Sequence, residues 1–135
     1  MLSVEDFNRR SAGHLPEYLG IIVTEVSHRK LVMQLEIRPH LLAPNGYLHA
    51  GTVVALADTS AGYGCIANLP DGAKGFTTIE LKSNHHGTAR DGIIVATATP
   101  AHLGRTTQVW DSVVTHAGTG KTIALFRCTQ LILYP

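Results

Sequence analysis

The sequence predicts an α+β domain in which a strongly curved antiparallel sheet wraps around one long central helix, preceded by a short N-terminal helix. The run from His49 to Asn68 is small and apolar, has no proline, and is long enough for five helical turns. Two β-rich runs precede it and four follow it. Because no helix separates the later runs, a parallel β-α-β arrangement is disfavoured.

Composition limits the classes of protein that fit. The 135 residues leave room for one domain, 1–135, and 44% hydrophobic against 16% charged residues indicate a real core and a large buried interface. A net charge of +1 excludes nucleic acid and anionic membranes as charge-driven partners. The N-terminus lacks the apolar run of a signal peptide, and Cys65 and Cys128 lack disulfide or zinc spacing. We therefore expect a cytoplasmic protein that does not span a membrane.

Each predicted element has a local signal. Ser3 caps the first helix, and Gly13 and Pro16 end it. Alternation of Leu31, Met33, Leu35 and Ile37 with Val32, Gln34, Glu36 and Arg38 marks the second strand, and short turns join the last three strands into a meander. In chain order the predicted elements are helix Ser3–Ala12, strands Ile21–Val26 and Leu31–Arg38, loop Pro39–Gly46, helix His49–Asn68, the turn-rich Leu69–Gly75, and strands Phe76–Ser83, Ile93–Leu103, Thr106–Thr115 and Thr122–Tyr134.

The central helix is hydrophobic almost all round, so it must be buried on most sides. Its glycines, Gly51, Gly62 and Gly64, each cost about 1 kcal/mol relative to alanine unless close packing requires them. Trp110 and Tyr63 are expected in the core.

Asp58 is a carboxylate in the middle of this apolar helix. No Lys or Arg lies three or four residues away, and burying an unpaired carboxylate is costly. A structural role would require solvent or a buried partner. The preferred interpretation is functional, because a carboxylate in a low-dielectric cleft acts as a general base or a nucleophile and burial raises its pKa.

The segment that begins the helix, Asn45 to Thr52, is rich in small residues and leaves backbone N–H groups without intrahelical partners. Such donors, aided by the helix dipole, can stabilise negative charge on a carbonyl oxygen during acyl transfer. An ordinary capped helix with His49 as the polar cap explains the local sequence equally well.

Helical spacing separates these two features. His49 and Asp58 are nine residues apart in the sequence, which places them roughly 13 Å apart along the axis and on opposite sides of the helix. They cannot meet on one small substrate group within one chain. If both serve one site, the amides of one subunit meet Asp58 of another, which predicts a two-fold dimer with two equivalent interfacial sites.

Two parts of the sequence resemble a known family. Asn45-Gly46-Tyr47-Leu48-His49-Ala50-Gly51, followed by Ala55-Leu56-Ala57-Asp58-Thr59, resembles the N-G-x-x-H-G-G…L-A-D-T signature of hotdog-fold acyl-CoA thioesterases of the phenylacetate-degradation (PaaI) type. Glu80 to His86 and Pro100 to Arg105, with Gln108 and Trp110, resemble the branch that contains 4-hydroxybenzoyl-CoA thioesterases. The resemblance spans nearly the whole chain. It implies the hotdog fold, thioester hydrolysis and a homo-oligomer, a dimer at least and a tetramer of two dimers by family likeness.

The resemblance also implies roles for individual residues. Asp58 matches the catalytic carboxylate, and the Ala50 amide matches the donor that polarises the thioester carbonyl. His49 matches a histidine that orients the ligand, with a structural cap as the alternative. Thr59 matches a hydroxyl that positions water, with local backbone capping as the alternative. The candidates for substrate or coenzyme A contacts are Gly51, Lys82, Asn84, His85, His86, Arg90 and Arg105, with Arg105 first because a guanidinium suits phosphate and with solvated surface charge as the alternative.

Two departures from the family pattern concern the mechanism. Ala50 replaces the first glycine of H-G-G, which keeps the N–H and adds a methyl group near the carbonyl pocket. The 4-hydroxybenzoyl branch carries Glu and an earlier Gln where this chain has Asp58 and Ala43, and Asn45 is the candidate substitute for that amide. No metal is expected, since His85 and His86 are adjacent on a strand and point to opposite faces. Coenzyme A is part of the substrate, and no other cofactor is expected.

Three functions stay open at this point. The preferred one is an acyl-CoA thioesterase that releases a carboxylic acid and coenzyme A, with an aromatic acyl group favoured over a medium-chain one. A non-catalytic acyl-CoA-binding protein is the second, and Asp58 argues against it. Hotdog hydratases and dehydratases are the third, and the Asp/His pair expected of them has no match in the sequence.

Overall fold

The computed structural model describes residues 1–135. Its elements are α1 (Val4–Ser11), α2 (Leu15–Tyr18), β1 (Ile22–Ser27), β2 (Lys30–Glu36), a 3-10 turn (Pro39–Leu41), α3 (Ala50–Ala67), β3 (Gly75–His85), β4 (Ile93–Leu103), β5 (Thr107–His116) and β6 (Thr122–Leu133). The strands form one antiparallel sheet in the order β1-β2-β4-β5-β6-β3. Helix α3 contacts every strand, so the sheet curves around it and the predicted fold class is confirmed.

Helix α3 is the centre of the core because no side of it is polar enough to face water. Leu56, Ala57, Ala61 and Cys65 of the helix are completely buried. The inward-facing side chains of the sheet, which pack around the helix, include Met33, Leu35, Ile94, Ala96, Trp110, Val114 and Phe126.

Two glycines of α3 let large side chains of the sheet approach the helix backbone. A Cβ on Gly64 would lie 2.6 Å from Cζ3 of Trp110, and a Cβ on Gly62 would lie 3.0 Å from Cζ of Phe76. The Trp110 ring is held in place, because its Nε1–H donates to Oε1 of the buried Gln108 at 2.7 Å. Close packing therefore explains both glycines, and Trp110 is a core residue as predicted.

The N-terminal segment covers the side of α3 that the sheet leaves open. The rings of Phe7 and Tyr63 lie 5.0 Å apart, and the hydroxyls of Ser11 and Tyr63 are hydrogen-bonded at 2.7 Å. Asn8 of α1 also occupies the outer edge of β1. Its Oδ1 accepts the N–H of Val23 at 2.8 Å, and its Nδ2 donates to the Val23 carbonyl at 3.2 Å.

Several element bounds differ from the predicted ones. Pro16 does not simply end the first helix; it lies in the first turn of α2, a position that proline favours because no N–H is needed there. The predicted loop after β2 contains the 3-10 turn Pro39–Leu41. Strand β3 continues to His85, two residues beyond the predicted end at Ser83.

The molecule has no helix with the length and hydropathy required to cross a membrane.

Strand β3 lies at the free edge of the sheet and pairs only with β6. A β-bulge at Ile79 shifts the register, because Thr78 and Glu80 pair with adjacent residues of β6. Beyond the bulge, Leu81 lies opposite the buried Cys128, and paired residues share a face of the sheet. In the second half of β3, Leu81, Ser83 and His85 therefore face inward, and Lys82 and Asn84 face outward.

We predict that Gly64→Ala destabilises the protein by about 1–3 kcal/mol, because the added methyl group overlaps a tryptophan ring that cannot move away. This loss would exceed the gain in helix propensity that alanine brings. The free energy of unfolding in urea measures the change. Gly75→Ala is the matched control, since a Cβ there meets nothing within 4 Å. A Gly64→Ala protein as stable as the parent would contradict the packing argument.

Candidate active site

The N-terminus of α3 leaves one backbone donor open. His49 is the cap, and its Nδ1 accepts the N–H of Gly51 at 2.7 Å. The N–H groups of Thr52 and Val53 donate to the His49 carbonyl at 3.0 and 3.3 Å. The N–H of Ala50 has no hydrogen-bond partner. An exposed donor therefore stands at the positive end of the helix dipole, which is the arrangement that binds a negatively charged oxygen.

Gly51 is explained by the cap itself. A Cβ at this position would lie 2.9 Å from Nδ1 of His49, so only glycine lets the imidazole ring reach the N–H below it. Because that N–H is already bonded, Gly51 has no free backbone donor for a substrate. Since Nδ1 accepts a hydrogen bond, the neutral ring of His49 carries its proton on Nε2.

A cavity of about 370 Å³ opens at this helix end, and we call it the N-terminal cavity. Its apolar part includes Leu48, Val53 and Ile123, and Ala50 forms part of its wall. Asn45 and His85 also line it. Asn45 Oδ1 accepts the N–H of Tyr47 at 3.1 Å, which leaves the Asn45 Nδ2 group free to donate. The structure thus brings together three predicted site residues, Asn45, Ala50 and His85.

Asp58 lies further along α3, outside the N-terminal cavity. The carboxylate is half-buried, and its Oδ1 is fully buried without a hydrogen-bond partner. Burial raises the pKa of Asp58 above its ordinary value of 3.8. Its neighbour on the sheet is Cys128, whose pKa is raised to about 12 first by burial and then by the charge of Asp58. The Oγ of Ser83, on the adjacent edge strand, is likewise buried and unpaired.

Other nucleophile candidates are less available. The hydroxyl of Thr59 donates to the Ala55 carbonyl at 2.6 Å, so the local capping considered for it is present. Cys65 and Cys128 are buried, and burial raises the pKa of each thiol to about 12. Neither forms a thiolate at neutral pH, which leaves Asp58 as the unpaired anionic group of the core.

The predicted coenzyme A contacts are split among separate surfaces. Lys82 and Asn84 lie on the outer face of the sheet beside the ion pair of Asp111 and Arg127, whose two hydrogen bonds measure 2.6 and 2.8 Å. Arg105 lies in the turn between β4 and β5, where its backbone carbonyl accepts the hydroxyl of Tyr134. Neither group borders the N-terminal cavity. No cluster of three His, Cys, Asp or Glu side chains is arranged to hold a metal ion.

His86 faces a second cavity, of about 460 Å³, which we call the polar cavity. It shares Gly87, Thr88 and Ile123 with the N-terminal cavity. The adjacent residues His85 and His86 thus line different cavities, as expected from the alternation of side chains along a strand. Arg90 and Lys121 also line the polar cavity. The sequence did not indicate Lys121, because it lies 31 residues after Arg90 and only the fold brings the two together.

The chain is similar to known proteins in sequence and in fold. Residues 45–123 match the thioesterase superfamily. A 1,4-dihydroxy-2-naphthoyl-CoA hydrolase of Listeria monocytogenes is 36% identical over 115 residues, covering 85% of this chain and 92% of the relative. The proofreading thioesterase EntH of Cronobacter sakazakii is 30% identical, covering 84% and 82%. The structure of thioesterase HI1161 from Haemophilus influenzae superposes with a TM-score of 0.93 at 25% identity, covering 99% and 92%.

We predict that Asp58→Asn is more stable than the parent at neutral pH and that this advantage disappears in acid. The raised pKa means that the charged carboxylate disfavours folding. The parent should therefore lose stability relative to the variant as pH rises from the ordinary aspartate value of 3.8 through the higher folded value. Urea unfolding at fixed protein concentration measures the difference. Asp71→Asn, at an exposed turn, is the matched control. A stability difference independent of pH would contradict the assignment.

Proposed function

Because the chain belongs to the thioesterase superfamily, we propose that it hydrolyses aromatic acyl-CoA thioesters to a carboxylic acid and free coenzyme A. Membership of the family supports thioester hydrolysis. The proposal adds that the acyl group is aromatic. The observation that carries it is the open Ala50 N–H in an apolar cavity, on the same helix as the unpaired Asp58 carboxylate. The name of the Listeria relative specifies an aromatic acyl-CoA, which supports the aromatic choice over a medium-chain one.

The thioester carbonyl binds at the N-terminus of α3. Its oxygen accepts the N–H of Ala50, and the hydrogen bond strengthens as the oxygen becomes negative in the tetrahedral intermediate. An oxyanion donor of this kind contributes about 3–4 kcal/mol to the transition state. Asn45 Nδ2 and His49 Nε2 are free donors on residues that shortly precede Ala50 in the sequence, and they orient the same end of the substrate.

Asp58 supplies the second half of the chemistry, by one of two routes. As a general base, it takes a proton from water while the hydroxyl attacks the thioester carbon, and it returns the proton to the departing thiolate. As a nucleophile, it forms an acyl anhydride and expels the thiolate, after which water hydrolyses the anhydride. Its partial burial serves both routes because little water competes for the carboxylate.

The complete site requires two chains. Ala50 and Asp58 are eight residues apart, so they lie about 12 Å apart along the helix axis and cannot contact one thioester group in the same chain. A two-fold dimer solves this, with Ala50 of one subunit opposite Asp58 of its partner. Further assembly into a tetramer of two dimers rests on the family resemblance alone.

The free edge of β3 supports this dimer. The strand has 11 residues and one unpaired edge. Its inward-facing Leu81 is 43% exposed although it lies opposite the buried Cys128, which supports the proposal that a second copy covers it. Asp58 and Ser83 hold unpaired buried oxygens on the same inner side of the molecule. Pairing of β3 with β3 of a second copy places these groups at the new interface.

We predict that Asp58→Asn lowers turnover by about 10²–10⁴-fold, because it removes the base or nucleophile but keeps the shape of the side chain. A thiol-release assay measures turnover of benzoyl, hydroxybenzoyl, phenylacetyl and straight-chain acyl-CoA thioesters. The ranking within the panel identifies the acyl class. Asp71→Asn should retain full activity. If the parent binds these thioesters without hydrolysing any of them, the protein is an acyl-CoA-binding module instead.

We predict that Ala50→Pro is folded but lowers kcat by about 10²–10³-fold, because proline is tolerated in the first turn of a helix and removes only the N–H. Ala50→Gly retains the N–H and should stay active. Co-refolding Ala50→Pro with Asp58→Asn tests the shared site, since each mixed dimer regains one intact site and a statistical mixture regains about a quarter of parental activity. A mixture no more active than its components would contradict a site built from two subunits.

A further inference from the structure

The acyl group of a substrate needs an apolar place beside Asp58, and one face of α3 offers it. Asp58, Gly62 and Ile66 follow one another at intervals of four residues, so they lie along the same face of the helix. In the opposite direction, strand β3 presents the buried Ser83 hydroxyl and then His85, which are both polar. An apolar acyl group at Asp58 therefore points toward Gly62.

The ring of Phe76 occupies this face of α3 one helical turn beyond Asp58. Phe76 lies opposite the buried Ile132, so its side chain faces inward. A Cβ on Gly62 would lie 3.0 Å from Cζ of Phe76, so the ring packs directly against the helix backbone. Asp58 and Gly62 are separated by about 6 Å along the helix axis. This length accommodates one aromatic ring and is too short for a long alkyl chain.

Unfilled space lies on the far side of the Phe76 ring. A cavity of about 300 Å³, which we call the rear cavity, is lined by Phe76 together with Arg10, Ile66, Leu69, Lys74 and Gly75. Ile66 and Leu69 are apolar, and the aliphatic stems of Arg10 and Lys74 can also pack against an alkyl chain. The ring of Phe76 therefore separates the helix face at Asp58 from a cavity that a longer acyl group could enter.

We propose that Phe76, packed on Gly62, is the end wall of the acyl site and restricts the substrate to acyl groups about one aromatic ring long. The inference rests on the proposed function and adds the residue that selects an aromatic group over a medium-chain one. The ring of Phe76 packs against an aromatic acyl group and excludes a longer chain from the rear cavity. Because Phe76 lies away from the reacting atoms, replacing it changes the choice of substrate and leaves the chemistry to Asp58.

Thiol-release kinetics with benzoyl-CoA and decanoyl-CoA test the assignment. In the parent, kcat/KM should be higher for benzoyl-CoA. Phe76→Ala should raise the ratio of kcat/KM for decanoyl-CoA to that for benzoyl-CoA about tenfold, because the chain then enters the rear cavity and each methylene group buried there strengthens binding. Phe76→Leu keeps part of the wall and should shift the ratio less, in the same direction. It covers the case in which Phe76→Ala does not fold.

A second substitution tests whether the rear cavity receives the chain. Ile66→Phe alone should leave the parental ratio unchanged, because the acyl group of the parent does not reach the rear cavity. Combined with Phe76→Ala, it should cancel the gain for decanoyl-CoA by filling that cavity. Phe7→Leu is the matched control, since it removes a buried phenylalanine that packs on Tyr63, and it should not change the ratio. A gain that persists in the double variant would overturn the path into the rear cavity.

An unchanged ratio in folded Phe76→Ala and Phe76→Leu, or a parent that hydrolyses decanoyl-CoA as readily as benzoyl-CoA, would overturn the end wall while leaving thioester hydrolysis intact. If the parent hydrolyses no thioester, the proposed function fails and calorimetry still tests the wall. The affinity for decanoyl-CoA relative to benzoyl-CoA should then rise about tenfold in Phe76→Ala, and an unchanged relative affinity would overturn the proposal.

Discussion

The burial of α3 is the constraint on which the rest of the structure depends. A helix that is apolar on nearly every side is stable only when other elements surround it, and six antiparallel strands do so by curving. The sheet leaves one side uncovered, and Phe7 of α1 packs there against Tyr63. What stays open is the end of the helix, where Ala50 keeps a free N–H. The feature that organises the core thus also exposes the one strong backbone donor to a ligand.

The same helix carries a conflict between stability and chemistry. Asp58 holds an oxygen that is buried and unpaired, which opposes folding, and the sheet beside it offers thiol and hydroxyl groups with no cation. Core positions of this kind are normally apolar. A functional role for Asp58 would explain why a carboxylate occupies such a position despite the free-energy cost of burying it. A poorly solvated carboxylate is a better base than one in water.

The sequence alone predicted the elements whose local signal is strong. The predicted helix His49–Asn68 and the observed Ala50–Ala67 agree to within one residue at each end, because apolar composition and the His49 cap define both. The sequence did not predict that β3 pairs with β6 at the edge of the sheet, since alternation within a strand does not identify the neighbouring strand. The bulge at Ile79 had the largest effect on the site. Without it, the side chains beyond Ile79 would exchange faces, so Lys82 and Asn84 would lie on the same face as Phe76 and His85 on the opposite one.

The two edges of the sheet differ in a way that limits how copies of the chain can assemble. An exposed strand edge recruits further strands, and a sheet with two such edges can extend without limit. Here the amide of Asn8 already holds the backbone N–H and carbonyl of Val23 on the β1 edge. A pair of copies joined through β3 would have only β1 edges outermost, and the Asn8 amide at Val23 would hinder the addition of a further strand there. The two edges thus differ in how freely they can accept another strand: the β3 edge is bare, and the β1 edge is capped at Val23.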